Sequence, residues 1–171
     1  MRKVKEEKIR PTLAMQELLA TIDFYDTFST TNHFHSMEEI TRLIFNSSSR
    51  WVDALFKIRN KLVQLIGLRS DLPSGYHTRF EVGGYIKFFK IFSITANEVV
   101  LGADDSHLNF RAVVANEPTD QYNIKVTTLV HFNNAKGKWY MKVIQPFHRL
   151  VVARMVKNAF CEKSSDFHCN N

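Results

Sequence analysis

Residues that cross-link or interrupt small folds are scarce in this 171-residue chain, which has two cysteines, four prolines and six glycines. Both cysteines, Cys161 and Cys169, lie in the last eleven residues. A polar tail can carry free thiols there but can hardly cross-link a core, so we predict that both are unpaired. The scarcity of cysteine excludes disulfide-rich mini-proteins, and a chain of this length can bury a core without such a cross-link.

Long apolar runs are also missing. No segment approaches the roughly 20 uninterrupted apolar residues that cross a bilayer, and the basic start, Met1 to Arg10, leads into no apolar signal-peptide core. The composition, with 44% hydrophobic, 12% aromatic and 23% charged residues, is near the average for one soluble domain. We therefore expect a cytoplasmic protein without a transmembrane segment.

Acidic residues are absent from residues 131–160, a stretch that holds six lysine or arginine side chains. The whole chain carries a net charge of +6, and its first ten residues are also basic. Such a distribution could favour anionic small molecules, nucleic acid or an acidic membrane surface. An excess of this size is more typical of solvated surface, so nucleic acid is not the expected partner.

Helical and extended patterns alternate along the first half of the chain. The spacing predicts a short helix over Pro11 to Ile22 and a strand over Asp23 to Thr31, with Phe24, Asp26 and Phe28 on one face. Ser36 and Glu39 match a capping box at the start of a helix that ends near Asn46. A second helix is predicted from near Ser49 to Gly67.

The second half predicts strands followed by one long helix. Residues 85–95 carry large apolar groups on both faces, which favours a central strand, and a turn at Ala96-Asn97 leads into the next strand. We predict that Tyr122 to Phe132 pairs antiparallel with Leu108 to Val114. The last helix covers about Lys136 to Phe160, with a kink or break expected before Pro146. The order predicts an α+β fold.

This order is that of the helix-grip fold, a curved antiparallel sheet wrapped around a long C-terminal helix, with two helices after the first strand. Two motifs, Leu101-Gly102-Ala103-Asp104-Asp105-Ser106-His107-Leu108-Asn109-Phe110-Arg111 and Pro146-Phe147-His148-Arg149-Leu150-Val151, together with Arg50-Trp51-Val52, resemble an uncharacterised domain-of-unknown-function family. That family is identified as a member of the START and polyketide-cyclase-like (SRPBCC) superfamily. The resemblance covers about residues 23–160, and Asn109 stands where the family tends to have aspartate.

The resemblance implies binding of apolar small molecules or lipids, sometimes with catalysis. It implies a helix-grip domain over residues 23–160, between a basic N-terminal arm with a short helix (1–22) and a polar C-terminal tail (161–171). Some members follow a dinucleotide-binding domain, but no G-x-G-x-x-G sequence occurs here, so no cofactor is expected. The oligomeric state is left open.

The C-terminal helix carries the candidate ligand site. Its apolar arc needs a covering surface, and the predicted sheet provides one, with an apolar cavity between them. Arg154 lies within this arc, so it either pairs with a carboxylate (Asp104, Asp105, Glu81 or Asp26), faces the cavity, or is turned to the surface by a kink at Pro146. The predicted ligand-binding residues are Tyr140, Ile144, Phe147, His148, Val151, Arg154 and Met155.

Other chemistry-bearing groups have plainer interpretations. Asp104-Asp105-Ser106-His107 could serve acid/base chemistry or hold a divalent cation, but a hairpin turn is favoured. His33 and His35 have no third ligand at a recognisable spacing, so no metal is expected. No nucleophile elbow, phosphate loop or paired-cysteine motif is present, and no catalytic residue is assigned.

Three functions follow from these patterns. The first is a non-catalytic module that binds an apolar or amphipathic small molecule or lipid. The second is a cyclase- or hydratase-like enzyme acting on a polyketide-like substrate, using His148, Arg154, or Asp104 and Asp105. The third and weakest is a basic surface, formed by Lys138, Lys142, Arg149 and the N-terminal arm, that binds nucleic acid or anionic lipid.

Overall fold

A computed structural model describes residues 2–46 and 76–162 of the chain as an α+β fold. Seven strands and three helices follow one another within these ranges. In chain order they are β1 (Lys5–Glu7), α1 (Leu13–Gln16), β2 (Phe24–Thr30), α2 (Met37–Phe45), β3 (Tyr85–Ile86), β4 (Phe89–Ile94), β5 (Glu98–Asp104), β6 (Leu108–Asn116), β7 (Ile124–Phe132) and α3 (Ala135–Asn158). The helix predicted from Ser49 to Gly67 lies outside the described residues.

The strands form one antiparallel sheet in the order β1-β2-β7-β6-β5-β4-β3. Leu108 pairs with Phe132 and Val114 with Val126, so the predicted antiparallel pairing of these two strands is confirmed. Lys5–Glu7, from the basic N-terminal arm, pairs along β2 as an edge strand. No helix among the described residues is long and apolar enough to span a bilayer.

The two faces of the sheet have different covers. One face packs against α2 and α3, and its core includes Ile91, Leu101 and Val114, all with 0% exposure. The other face buries Val100, Val113 and Leu129, and the residues after α1, such as Leu19, cover it. Side chains alternate between the faces along each strand, so the residues of one face form rows across the sheet.

The capping box predicted at the start of α2 is confirmed. The Glu39 backbone N–H donates to the Ser36 hydroxyl at 3.3 Å, and the Ser36 backbone N–H donates to the Glu39 carboxylate at 2.8 Å. This backbone hydrogen bond, with help from the Ser36 hydroxyl, lowers the pKa of Glu39 below its usual value. The helix places Ile40, Ile44 and Phe45 in the core.

The single strand predicted over residues 85–95 is instead two strands, of which β4 lies between β5 and β3 in the sheet. The segment folds into a hairpin at the edge of the sheet, in which Ile86 pairs with Phe89 across a loop of Lys87 and Phe88. Lys87 has a φ of 55°, the positive value that a two-residue hairpin loop needs. Within β4 both faces are covered, because Ile91 lies in the core on one face and Phe92 packs against the core on the other. The reversal at Lys87 and Phe88 is the feature that the alternation pattern does not reveal.

The C-terminal helix is continuous through Pro146, so the break, one of the two alternatives expected before Pro146, does not occur. The helix α3 runs from Ala135 to Asn158 with Pro146 inside it. Pro146 is exposed, so the Lys142 carbonyl that loses its intrahelical partner can be hydrated. At the other end of the fold, α1 covers only Leu13–Gln16 of the helix predicted from Pro11 to Ile22.

The prediction that the cysteines are unpaired is wrong for Cys161, which is disulfide-bonded and buried. Its backbone N–H donates to the Thr31 carbonyl at 2.8 Å, and Cys161 forms an isolated parallel β-bridge with Asn32. Cys161 is thus anchored where β2 ends, whereas the sequence pattern assigned it to a free polar tail. Cys169 lies outside the described residues.

Candidate functional site

An apolar cavity of about 270 Å³ lies between the sheet and α3. The sheet forms its floor, α3 its roof, and the end of α2 and the β3–β4 loop close its sides. Most of the side chains around it are apolar, and the few polar ones belong to Asp105, Thr128, Tyr140 and His148. The cavity is therefore suited to an apolar body with a small number of directed polar contacts.

The floor is open because its central residues are small. Ala112 of β6 lies in a row across the sheet between Thr128 of β7 and Leu101 of β5. Both Ala112 and Ala103 line the cavity. Protein interiors normally pack to crystal density, so these two alanines under a long helix leave space that larger side chains would fill.

The roof contains six of the seven residues that the sequence pattern selected. Tyr140, Ile144, Phe147, His148, Val151 and Met155 all line the cavity. Met155 is buried, whereas Phe147 is 54% exposed. Phe147 therefore lies at the mouth, partly in solvent. Their role in binding a ligand stays a prediction.

Arg154, the seventh residue, does not line the cavity and is exposed. The helix carries a second apolar stripe that faces outward, with Trp139 and Leu150 exposed to 59% and 62%. Arg154 lies one turn after Leu150 on this outward side. The sequence analysis treated the two stripes as one apolar arc that includes Phe147. That single arc placed Arg154 on the side facing the sheet. The expectation that its guanidinium faces the cavity is wrong.

A buried carboxylate on β2, next to the cavity floor, lies against α3. His148 Nε2 is 3.3 Å from an oxygen of Asp26, whose side chain is only 8% exposed. The distance suits an ion pair, but the groups are not aligned for a hydrogen bond, and both Asp26 oxygens and Nε2 are buried without another partner. The edge of the ring also contacts Phe24, with centroids 5.8 Å apart. Asp26 thus interacts with His148 and not with Arg154.

Sequence reasoning did not pair Asp26 with His148. The alternation in β2 placed Asp26 on the same face as Phe24 and Phe28, and this position on an apolar face was the signal that the sequence offered. An acid between two phenylalanines on a core-facing strand needs a partner. Which residue of α3 supplies it depends on how the helix lies across the sheet, and local pattern does not encode that.

The acidic cluster at residues 104–107 is the turn between β5 and β6, as the favoured interpretation had it. Both oxygens of Asp104 accept from the Arg111 guanidinium, at 2.7 and 3.2 Å. The Asp105 backbone N–H donates to the Leu108 carbonyl and to the Asn109 side chain. Asn109 also accepts from Asn133, so its amide joins this turn to the segment that begins α3.

A family model described as "Protein of unknown function (DUF2867)" matches residues 18–155, most of the chain. The chain belongs to this family. The DUF2867 match runs from just before β2 to near the end of α3, so it contains the floor and the roof of the cavity. It agrees with the resemblance to an uncharacterised family over residues 23–160. No curated protein and no solved structure matches the chain.

The histidines of this DUF2867 domain that were weighed as metal ligands do not converge. His35 Nδ1 contacts the Asn32 side chain at 3.1 Å, and His33 is exposed. Within residues 2–46 and 76–162, no group of three or more histidine, cysteine, aspartate or glutamate side chains is placed to hold a metal ion.

Proposed function

We propose that this DUF2867 domain binds an apolar or amphipathic small molecule or lipid between the sheet and α3. The observation that carries the proposal is the cavity itself, with apolar residues from two helices and four strands around one open space. Its volume of about 270 Å³ lies near the lower end of ligand pockets. A long C-terminal helix over an antiparallel sheet also supports the proposed helix-grip fold and SRPBCC relationship.

Energetics support a bound occupant. An empty apolar cavity weakens a fold in proportion to its volume, because its lining atoms lose dispersion contacts. A ligand with an apolar body restores those contacts and binds the folded state alone, which stabilises it. We infer that the small floor residues, Ala103 and Ala112, keep the space open for such a ligand.

A cyclase- or hydratase-like enzyme is the second candidate, and one observation favours it. His148 lines the cavity with the Asp26 carboxylate behind its ring, and an imidazole oriented by a carboxylate is a common general base. Arg154 and Asp104 do not support this candidate, because Arg154 is outside the cavity and Asp104 pairs with Arg111. A compound that copurifies with the domain in native mass spectrometry favours a binding module, since an enzyme turns its substrate over.

Replacing Val151 with tryptophan tests the proposed site. Val151 lines the cavity and is half-buried, so an indole there fills the space at a cost of roughly 1–3 kcal/mol, which the fold tolerates. We expect the affinity for the neutral fluorescent probe N-phenyl-1-naphthylamine to fall about tenfold or more, which corresponds to about 1.4 kcal/mol. The measurement is a fluorescence titration, with circular dichroism to verify folding.

The matched control is Arg154→Trp, which adds the same side chain to the same helix outside the cavity. This variant is expected to bind the probe like the wild type. Equal probe affinity in the folded Val151→Trp variant and in the wild type would contradict the proposed site.

The weakest function from the sequence, an anionic-lipid surface, gains support from the outward side of α3. Trp139 and Leu150 are each more than half exposed there, and Lys138 and Lys142 are exposed beside them. Large apolar groups flanked by cations are typical of helices that bind at a membrane surface. Arg149 contributes less than expected, because it binds both Glu6 oxygens at 2.5 Å, and this hydrogen bonding raises its pKa.

We expect the protein to float with vesicles containing phosphatidylserine and to be released by salt, because screening weakens the lysine contribution. A Trp139→Ser, Leu150→Ser double variant should lose most of this flotation. The control is Leu13→Ser, since Leu13 is 79% exposed and lies away from α3. Unchanged flotation of the double variant would contradict a role for this surface.

The cytoplasmic location expected from the sequence is a proposal. The disulfide bond at Cys161 argues against it, because the cytosol keeps most thiols reduced.

A further inference from the structure

The polar groups of the cavity lie in separate places along it. Asp26 and Thr128 lie directly opposite each other in the β2–β7 register, and His148 approaches them from α3. Asp105 lines the cavity at the β5–β6 turn, about 14 Å away by the rise of four residues along β6. Tyr140 is the fourth polar lining residue and the rest of the lining is apolar, so one part of an elongated ligand would meet His148 and Thr128.

The Asp26 carboxylate determines which nitrogen of His148 carries a proton. The two groups are not aligned for a hydrogen bond, but a proton on Nε2, 3.3 Å from an Asp26 oxygen, is attracted by the carboxylate charge, whereas a lone pair there would be repelled. The Asp26 oxygens have no hydrogen-bond partner among the described residues. In a neutral imidazole one nitrogen donates and the other accepts, so a proton on Nε2 leaves Nδ1 as an acceptor.

Nδ1 is available to a ligand. Unlike Nε2, this nitrogen is not fully buried, and the ring lines the cavity. No backbone or side-chain donor contacts it within the part of the chain that the structure describes. When a ligand without a donor covers this acceptor, the acceptor is left without a hydrogen-bond partner, and binding becomes less favourable. The acceptor therefore favours ligands that carry a donor.

We propose that the cavity selects an uncharged ligand whose polar end is a hydroxyl group, an alcohol or a phenol, that donates to His148 Nδ1. This inference rests on the proposed binding function and names its ligand class. Asp26 is a positioning residue that holds the proton on Nε2. The hydroxyl of Thr128 lies in the same part of the cavity and offers a second polar group to the ligand oxygen.

Four probes with one apolar body test this class: naphthalene, 2-naphthol, 2-methoxynaphthalene and 2-naphthoate. They carry no polar group, a hydroxyl donor, an acceptor and an anion respectively. We expect 2-naphthol to bind the full-length protein at pH 8 about tenfold more tightly than naphthalene or 2-methoxynaphthalene, the effect of one hydrogen bond in a buried site. Calorimetric or fluorescence titration measures each dissociation constant.

Two variants separate a directed hydrogen bond from packing. His148→Phe removes both nitrogens and should equalise the affinities for 2-naphthol and naphthalene, while His33→Phe, at an exposed site, should keep the preference. Asp26→Asn keeps the shape but donates toward Nε2, which moves the imidazole proton to Nδ1. The preference for 2-naphthol over 2-methoxynaphthalene should then disappear, because both oxygens can accept from Nδ1–H, while both probes should still bind more tightly than naphthalene. Loss of structure alone would not produce this pattern.

The outcomes distinguish this inference from the proposed function. If none of the four probes binds, both fail. If naphthalene binds as tightly as 2-naphthol, the site stands as an apolar cavity and the hydroxyl selection is overturned. If 2-naphthoate binds most tightly, His148 acts as an imidazolium toward anions, which also overturns it.

Discussion

Replacing Gly137 with alanine is expected to lower the free energy of unfolding by about 3 kcal/mol, although alanine is the better helix former. A Cβ at this position would lie 2.0 Å from the His107 carbonyl oxygen and 2.8 Å from its carbon. Both are backbone atoms of the β5–β6 turn, so no flexible side chain can move aside. Alanine's helix propensity offsets only about 1 kcal/mol of this overlap.

The overlap would also alter the cavity, because the first turn of α3 would have to move away from the sheet. Denaturant unfolding followed by circular dichroism measures the stability, and a titration with N-phenyl-1-naphthylamine measures the effect on the roof. The control is Lys136→Ala, on the same turn but exposed. A Gly137→Ala variant as stable as the wild type would show that α3 does not approach the turn this closely.

Replacing Asn32 with alanine is the second change expected to have a large effect, about 3 kcal/mol of unfolding free energy. The Asn32 amide donates to the Ala159 carbonyl at 2.6 Å, and its side-chain oxygen accepts from the backbone N–H groups of Phe34 and His35. Asn32 is 1% exposed. Removing its side chain leaves buried backbone groups without partners, and such groups cost more than the hydrogen bonds themselves contributed.

This asparagine joins the end of β2 to the C-terminal end of α3, opposite the contact at Gly137. Its own backbone is held by Asn123, which accepts from the Asn32 N–H and donates to the Asn32 carbonyl, each at 2.8 Å. Chemical denaturation of Asn32→Ala against the exposed neighbour His33→Ala measures the effect. A loss below about 1 kcal/mol would mean that water replaces the missing amide.

Much of the fold could be predicted because it depends on short-range periodicity. The alternation along β6 and β7, the capping box at Ser36 and the long final helix are local patterns, and each has its expected place in the structure. The apolar stripe of α3 that faces the sheet could also be predicted from the sequence, since six residues selected on it line the cavity. The incorrect predictions have a different cause.

At those positions, local pattern was compatible with two outcomes. A run of apolar residues suits either a central strand or a hairpin that reverses, and the turn at Lys87 decided between them. Cys161 in a polar tail could be free or anchored, and its contact with Thr31 places it beside β2.

The sequence by itself determined an antiparallel sheet, a helix to cover it and an apolar surface between them, because side-chain periodicity follows from backbone geometry. Only the tertiary structure decided which polar groups meet there. Asp26 and His148 are 122 positions apart in the chain, and their 3.3 Å contact depends on where α3 crosses β2. The outward position of Arg154 has the same origin, because the rotation of a helix with two apolar stripes is set by the sheet against which it packs.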